Sequence, residues 1–143
     1  MKVYISGALT GIPHVEELKK FYEEIAALCG LLGLEPYVPH LNSDPQAHAS
    51  ISPEEVYKMD SHQVKIADLV IAYIGMPSLG VGQELEISNY EDVPLIILYE
   101  GDKPVSRMAK GNPAVIKQVV FSSYEDALEQ LRPALEEFVT SRA

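Results

Sequence analysis

At 143 residues the chain is one domain's worth, long enough to bury roughly two thirds of its extended surface. With 47% hydrophobic and 22% charged residues it has the make-up of an ordinary globular protein. Eleven basic against twenty-one acidic side chains leave a formal charge of −10, which argues against a surface for polymeric nucleic acid, since phosphate backbones want clustered Lys and Arg. A nucleotide held by backbone amides and hydroxyls in a small pocket stays open. Cys29 is the only cysteine, so neither an internal disulfide nor a cysteine-based metal site can be built, and its helical context suggests a small buried hydrophobe. No apolar run approaches the length of a membrane span and the first residues lead straight into a strand, so the expectation is a cytoplasmic chain without membrane contact.

Lys2 to Ser6 reads as a short strand, followed by the glycine turn Gly7-Ala8-Leu9-Thr10-Gly11. Pro13 can open a helix where a missing amide costs nothing. Leu18, Phe21, Tyr22, Ile25, Leu28, Cys29 and Leu32 then recur at three- and four-residue spacing up to Gly33. Glu35 to Val38 is a second strand, and Pro36 puts it at a sheet edge. Pro39 to Ser50 is a polar loop carrying His40, Asn42, Asp44 and His48. Ser52-Pro53-Glu54-Glu55 is the clearest helix start, a hydroxyl cap followed by proline and, three residues on, a glutamate.

Leu69 to Ile74 is almost wholly apolar, as a strand covered on both faces should be. Gly80 to Tyr90 reads as the next helix, Val93 to Tyr99 as a fourth strand, Gly101 to Pro113 as a loop, and Val119 to Phe121 as a short last strand. Ser122-Ser123-Tyr124-Glu125 caps a final helix with the apolar stripe Ala127, Leu128, Leu131, Leu135 and Phe138. No repeat or second domain is apparent, so residues 1–143 are expected to form one domain. The alternation of strands and helices, joined by right-handed crossovers, predicts a doubly wound, mainly parallel five-stranded sheet of order 2-1-3-4-5, flavodoxin- or Rossmann-like. Its topological switch would lie between the first and third strands, bringing Gly7–Gly11 and Gly75–Gly82 to one crevice.

The first glycine turn is not G-x-G-x-x-G, and Val38 and Pro39 stand where an acidic residue would hold an adenosine ribose. Dinucleotide binding is therefore disfavoured, and no G-K-[ST] offers a Walker loop. These glycines either cradle an anion with their amides or simply let a strand turn into a helix. Ser78-Leu79-Gly80-Val81-Gly82-Gln83-Glu84 says more. Ser78 offers a hydroxyl at a helix N-terminus, suited to a phosphate or a sugar. Glu84, near the first helical turn, would be kept ionised by the amides there and could attack an electron-poor sugar carbon; otherwise it only complements the helix dipole. Asp60, on a helix running back toward the central strand, is the candidate second carboxylate, and two carboxylates flanking a glycosidic carbon form the apparatus of glycosyl cleavage or transfer. His14, His40, His48 and His62 lack metal-ligand spacing, and Ser78 lacks a G-x-S-x-G context. Tyr4, three residues before the first glycine, could point its hydroxyl into the crevice.

Ala67-Asp68-Leu69-Val70 through Pro77-Ser78-Leu79-Gly80-Val81-Gly82-Gln83-Glu84-Leu85 resembles the nucleoside 2-deoxyribosyltransferase superfamily, most of all its branch of 2'-deoxynucleoside 5'-monophosphate N-glycosidases. The opening Tyr4-Ile5-Ser6-Gly7-Ala8-Leu9-Thr10-Gly11 and the late Ser106-Arg107-Met108-Ala109-Lys110-Gly111 are supporting matches. The resemblance implies that Glu84 is a nucleophile forming a covalent glycosyl-enzyme. Asp60 would be the second acid, and Tyr4 would help to hold the nucleophile. It further implies a substrate, a nucleoside 5'-monophosphate or a nucleoside, bound by Gly7, Ala8, Leu9, Thr10, Gly11, Ser78, Gly80, Gly82, Ser106 and Met108. Ser106 would reach its phosphate across the interface of a homodimer, and no metal or organic cofactor would be needed. Transferases acting on unphosphorylated nucleosides usually carry an aspartate at the position of Ser78, so serine here favours a phosphate. The monophosphate hydrolases commonly have Ser and Arg where this chain has Ala8 and Thr10.

Overall fold

The computed structural model describes residues Met1–Ala143. Five strands, β1 (Lys2–Ser6), β2 (Glu35–Tyr37), β3 (Leu69–Tyr73), β4 (Leu95–Glu100) and β5 (Val115–Phe121), form one sheet of order β2-β1-β3-β4-β5. Every neighbouring pair is parallel. Helices α1 (Val15–Leu31), α3 (Pro53–Lys65), α4 (Leu79–Tyr90) and α6 (Tyr124–Ser141) cover the sheet, and the short α2 (His40–Ser43) and α5 (Arg107–Lys110) lie in connecting segments. The predicted order and parallel sense are borne out, and β2, with Pro36, does form an edge.

Strand alternation sorts the core into two layers. Val3 and Ile5 of β1 with Leu69, Ile71 and Tyr73 of β3 join the α1 and α6 stripes in one cluster. Tyr4 of β1 with Val70 and Ala72 of β3 points the other way, onto Val64 of α3 and Val81 and Leu85 of α4. β3 is buried along its whole length, which is why its sequence shows no alternation.

Local chemistry accounts for most helix starts. Ser52 caps α3 by accepting from Glu55 N at 3.2 Å, with Pro53 first in the helix. The α6 cap is Ser123, accepting from Asp126 N at 3.1 Å, while Asp126 Oδ2 in turn accepts from Ser122 N at 2.9 Å. The capping pair is thus set one residue later than Ser122 and Glu125. Pro13 does not open α1: His14 precedes the helix in a left-handed conformation, φ 57°, without a side-chain cap. Two segments read as loops contain the one-turn helices α2 and α5, too short to leave a periodic signal. β5 begins at Val115, because Ala114 O accepts from Leu95 N and the ladder with β4 starts there.

Two glycines are required where β1 and β3 end. A Cβ on Gly7 would lie 2.2 Å from Tyr22 Cζ, and one on Gly75 would lie 2.3 Å from Glu100 Oε1. Beside Gly75 the Tyr73 hydroxyl donates to both Glu100 oxygens, at 2.8 and 2.9 Å. Lys103 pairs with the same carboxylate at 2.6 Å. That cluster pins the segment after β4 to the end of β3. At the opposite end of the sheet, Asp68 accepts from Lys2 N at 2.7 Å, so this acid joins β1 to β3 well away from the crevice.

Candidate active site

Tyr4 and Ser6 share the α3/α4 face of β1 because they are two residues apart. Glu84, in the second turn of α4, comes down onto them, and Ser6 Oγ donates to Glu84 Oε1 at 3.4 Å. Glu84 Oε2 is buried without a partner, as are the Tyr4 hydroxyl and Asp60 Oδ1. Three unsatisfied polar atoms around one point are costly to a fold, and a ligand that used them would repay that cost. Tyr37, opposite Tyr4 in the β1–β2 register, stacks on it with ring centroids 5.7 Å apart.

Asp60 of α3 and Glu84 of α4 line a single cleft of about 410 Å³. Its remaining walls come from the segment before α3, including Ser43, Pro45, His48, Ala49 and Ile51, from Pro53, Val56, Tyr57 and Ser61 of α3, and from Gly80, Gln83 and Ile87 of α4. Burial, opposed by the Tyr4 and Ser6 hydroxyls and helped by the nearby Asp60 charge, pushes the Glu84 carboxyl up to about 8. The Tyr4 hydroxyl therefore acts on Glu84 by proximity, although no hydrogen bond of good geometry joins them. Burial likewise raises Asp60 to about 6. The Tyr4 phenol is held well above its usual range, first by burial and then by the Glu84 and Asp60 charges.

The expectation that helix amides keep Glu84 ionised is corrected by this geometry. Glu84 lies beyond the first turn, accepts no backbone amide and sits against the sheet, so desolvation outweighs the dipole. A carboxyl that holds its proton at neutral pH and faces a second carboxyl is a site for coupled proton transfer.

A second, larger cleft of about 760 Å³ lies on the other flank of α4. Ser78, Gly82, Ser106 and Met108 line it, with Met76, Leu79, Val81, Leu85 and Val105 among its apolar walls. It contains neither Asp60 nor Glu84, so we place the chemistry in the smaller cleft. The sequence-derived candidates thus divide: Asp60, Glu84 and Gly80 share the carboxylate cleft with Tyr4 beneath it, whereas Ser78, Gly82, Ser106 and Met108 line its neighbour. Ser78 caps α4 by accepting from Val81 N at 3.2 Å, which leaves its hydroxyl hydrogen free to donate. Ser106 caps α5 in the same way, accepting from Ala109 N at 3.2 Å.

The first loop lines neither cleft. Gly7 packs on Tyr22, and Ala8 is buried, with its carbonyl accepting from the Tyr22 hydroxyl at 3.0 Å. Leu9 packs against the α1 and α6 core. Thr10 and Gly11 are exposed, Gly11 with φ +65°. Tyr22 filling the space over Gly7 is why this loop turns toward α1. Sequence reasoning missed Ser6, Tyr37, His48 and Gln83 as site residues. For Ser6 the signal was present, since it is two residues from Tyr4 on a strand; for Tyr37 it required knowing that β2 pairs with β1. No three His, Cys, Asp or Glu side chains converge as a metal-binding group.

No family model matches the chain. A protein of Syntrophotalea carbinolica, provisionally named 2'-deoxynucleoside 5'-phosphate N-hydrolase 1, is 29% identical over 142 residues, covering 96% of this chain and 93% of that one. Among solved structures, the CMP N-glycosidase BcmB of Clostridium botulinum superposes with a TM-score of 0.71 at 21% identity, covering 92% of this chain and 97% of that one. The 2-deoxyribosyltransferase of Bacillus psychrosaccharolyticus superposes with a TM-score of 0.67 at 21% identity, covering 90% of each chain. At those identities the two superpositions speak for the fold.

Proposed function

The chain has family-level homology to the deoxynucleoside 5'-phosphate N-hydrolase/2-deoxyribosyltransferase superfamily, and from that premise we propose that it cleaves the N-glycosidic bond of a nucleoside 5'-monophosphate, releasing free base and sugar 5-phosphate. The observation that carries this reading is the pair Asp60 and Glu84, each with an unpartnered buried oxygen in one cleft.

In the first step the proton that burial keeps on Glu84 passes to Asp60, and the Glu84 carboxylate so formed bonds to C1' as the bond from C1' to the base nitrogen breaks. The electron pair leaves with the base, and the Asp60 carboxyl, raised to about 6, supplies the proton that neutralises it. In the second step water adds to C1', the ester to Glu84 breaks, and Asp60 takes the proton that water loses. Base and sugar phosphate are formed with both carboxyls restored. Ser6 and Tyr4 hold the Glu84 carboxylate between steps.

The phosphate is assigned to the first turn of α4, where Ser78 presents a free hydroxyl hydrogen beside helix-terminal amides. That turn stands between the two clefts, since Gly80 lines one and Ser78 the other. Leu79 and Met108 are 90% and 87% exposed at the mouth of the second cleft. We read that apolar rim as the contact with a second copy, which would bring a partner Ser106 toward the phosphate. No metal or organic cofactor enters the scheme.

The test is product analysis with a panel of ribo- and deoxyribonucleoside 5'-monophosphates, comparing the intact protein with Glu84→Gln. Free base and sugar phosphate from the intact protein alone support the proposal. New nucleoside formed only when an acceptor base is added would move the chain to the transferase branch. Silence with both nucleotides and nucleosides from a folded protein would overturn the enzymatic reading in favour of a nucleotide-binding module.

A further inference from the structure

The segment between α2 and α3 carries no recognisable motif, yet it is built with unusual care for a loop. Asp44 is 4% exposed. It forms a salt bridge with Lys19 of α1, and its Oδ1 accepts from Gln46 N at 2.7 Å and from Ala47 N at 3.1 Å. His48 is tied to the same residue twice. Its amide donates to Asp44 O at 2.8 Å, and its ring Nδ1 accepts from Asp44 N at 3.2 Å.

The second of these ties dictates a tautomer. A backbone amide can only donate, so Nδ1 must present a lone pair, and the neutral ring carries its hydrogen on Nε2. Nε2 has no hydrogen-bond partner in the protein, and the ring lines the cleft that holds Asp60 and Glu84. Both carboxylates accept hydrogen bonds once ionised, whereas His48 supplies a donor held in one place. Pro45, Ala49, Ile51 and Val56 line the same cleft and give it apolar walls. Such a slot suits a planar heterocycle with one edge that accepts a hydrogen bond.

We propose that His48 is the base-contacting residue of this site, its Nε2–H donating to a carbonyl oxygen or ring nitrogen on the departing base. The donation steadies the electron pair that the base carries away, and it selects bases with an acceptor at that edge. This rests on the glycosidase reading, in which C1' lies at Glu84, and His48 lines the same cleft as Glu84.

Two variants separate contact from scaffolding. In His48→Asn the side-chain oxygen can still accept from Asp44 N, but nothing reaches as far as Nε2. In His48→Gln the amide nitrogen reaches that far, at the expense of the tie to Asp44. A base contact predicts that kcat/KM for the best nucleotide falls by about 10- to 100-fold in His48→Asn and is largely recovered in His48→Gln. A purely structural histidine predicts the opposite order, and that order would overturn the proposal.

A spectroscopic arm does not depend on turnover. Imidazole nitrogen resonances of His48 in Glu84→Gln protein should report hydrogen on Nε2 in the free state. That resonance should move when cytidine 5'-monophosphate or 2'-deoxyadenosine 5'-monophosphate binds. Hydrogen on Nδ1, or a nucleotide that binds and leaves the ring unmoved, would overturn the role of His48 alone. If no nucleotide binds or is cleaved, the glycosidase reading fails and takes this inference with it.

Discussion

Replacing Glu84 by glutamine should make the protein more resistant to alkaline unfolding while removing its activity. The folded chain holds the Glu84 proton up to about pH 8, against an ordinary value of 4.5. Between those values the folded state binds more protons than the unfolded one, so stability falls as pH rises. The stabilising difference is complete below about pH 4.5 and has been lost once the pH passes through 8. At about 1.4 kcal/mol per pH unit, the interval sets an upper bound of about 5 kcal/mol. Part of the shift belongs to the coupled Asp60, and the residue as a whole is half-buried beside an open cleft, so we expect about 2–3 kcal/mol. Glutamine keeps the shape and cannot ionise. Urea unfolding followed by far-ultraviolet circular dichroism at pH 5, 7 and 9 measures the difference directly. The intact protein should lose about 2–3 kcal/mol relative to Glu84→Gln between pH 5 and 9. Parallel stability curves, agreeing within about 0.5 kcal/mol at all three values, would refute the claim that burial holds the proton on Glu84.

Other expectations follow from the same geometry. For the free protein, the scheme needs one proton shared between Asp60 and Glu84, so kcat/KM should rise up to about pH 6, level off, and fall above about 8; a rate that is flat from pH 5 to 9 would exclude this pair as the acid and nucleophile. Tyr4→Phe removes a hydroxyl that lowers the Glu84 value, so the fall near pH 8 should move to higher pH. Its stability should change by less than about 1 kcal/mol, because the hydroxyl lost was itself unpartnered. Asp60→Asn should cut turnover by about 100-fold or more if the side chain passes protons to base and water, and single-turnover assays would place the loss in base release. Asp44→Ala should destabilise the fold by about 2–3 kcal/mol, since it leaves the Lys19 ammonium, only 12% exposed, with the exposed Glu16 at 3.5 Å as its remaining partner and removes the acceptor of the Gln46 and Ala47 amides. It should also raise KM, because the His48 ring loses its segment's anchor; an unchanged KM would separate that anchor from substrate binding.

Much of the fold was legible in the chain because its signals are local. The unbroken apolar run of β3, the Ser52-Pro53 start of α3, the spacing along α1 and the proline in β2 each report their own surroundings. Right-handed crossovers then leave few ways to assemble them. Glu84, Asp60 and Tyr4 could be nominated from residue type and motif context. Their protonation could not be read in the same way, because the value depends on how closely β1 packs under α4, and the sequence alone pointed to the wrong sign for Glu84. The placement of the first loop was not legible for a similar reason. Tyr22, on α1, fills the space over Gly7 and turns the glycine segment away from both clefts. Tyr37 entered the site through strand pairing, and His48 through a buried salt bridge that folds a motif-free segment over the cleft. Periodicity and capping act within a few residues and survive in the sequence. Desolvation, stacking and cleft walls are made by residues distant along the chain, so only the packed structure decides them.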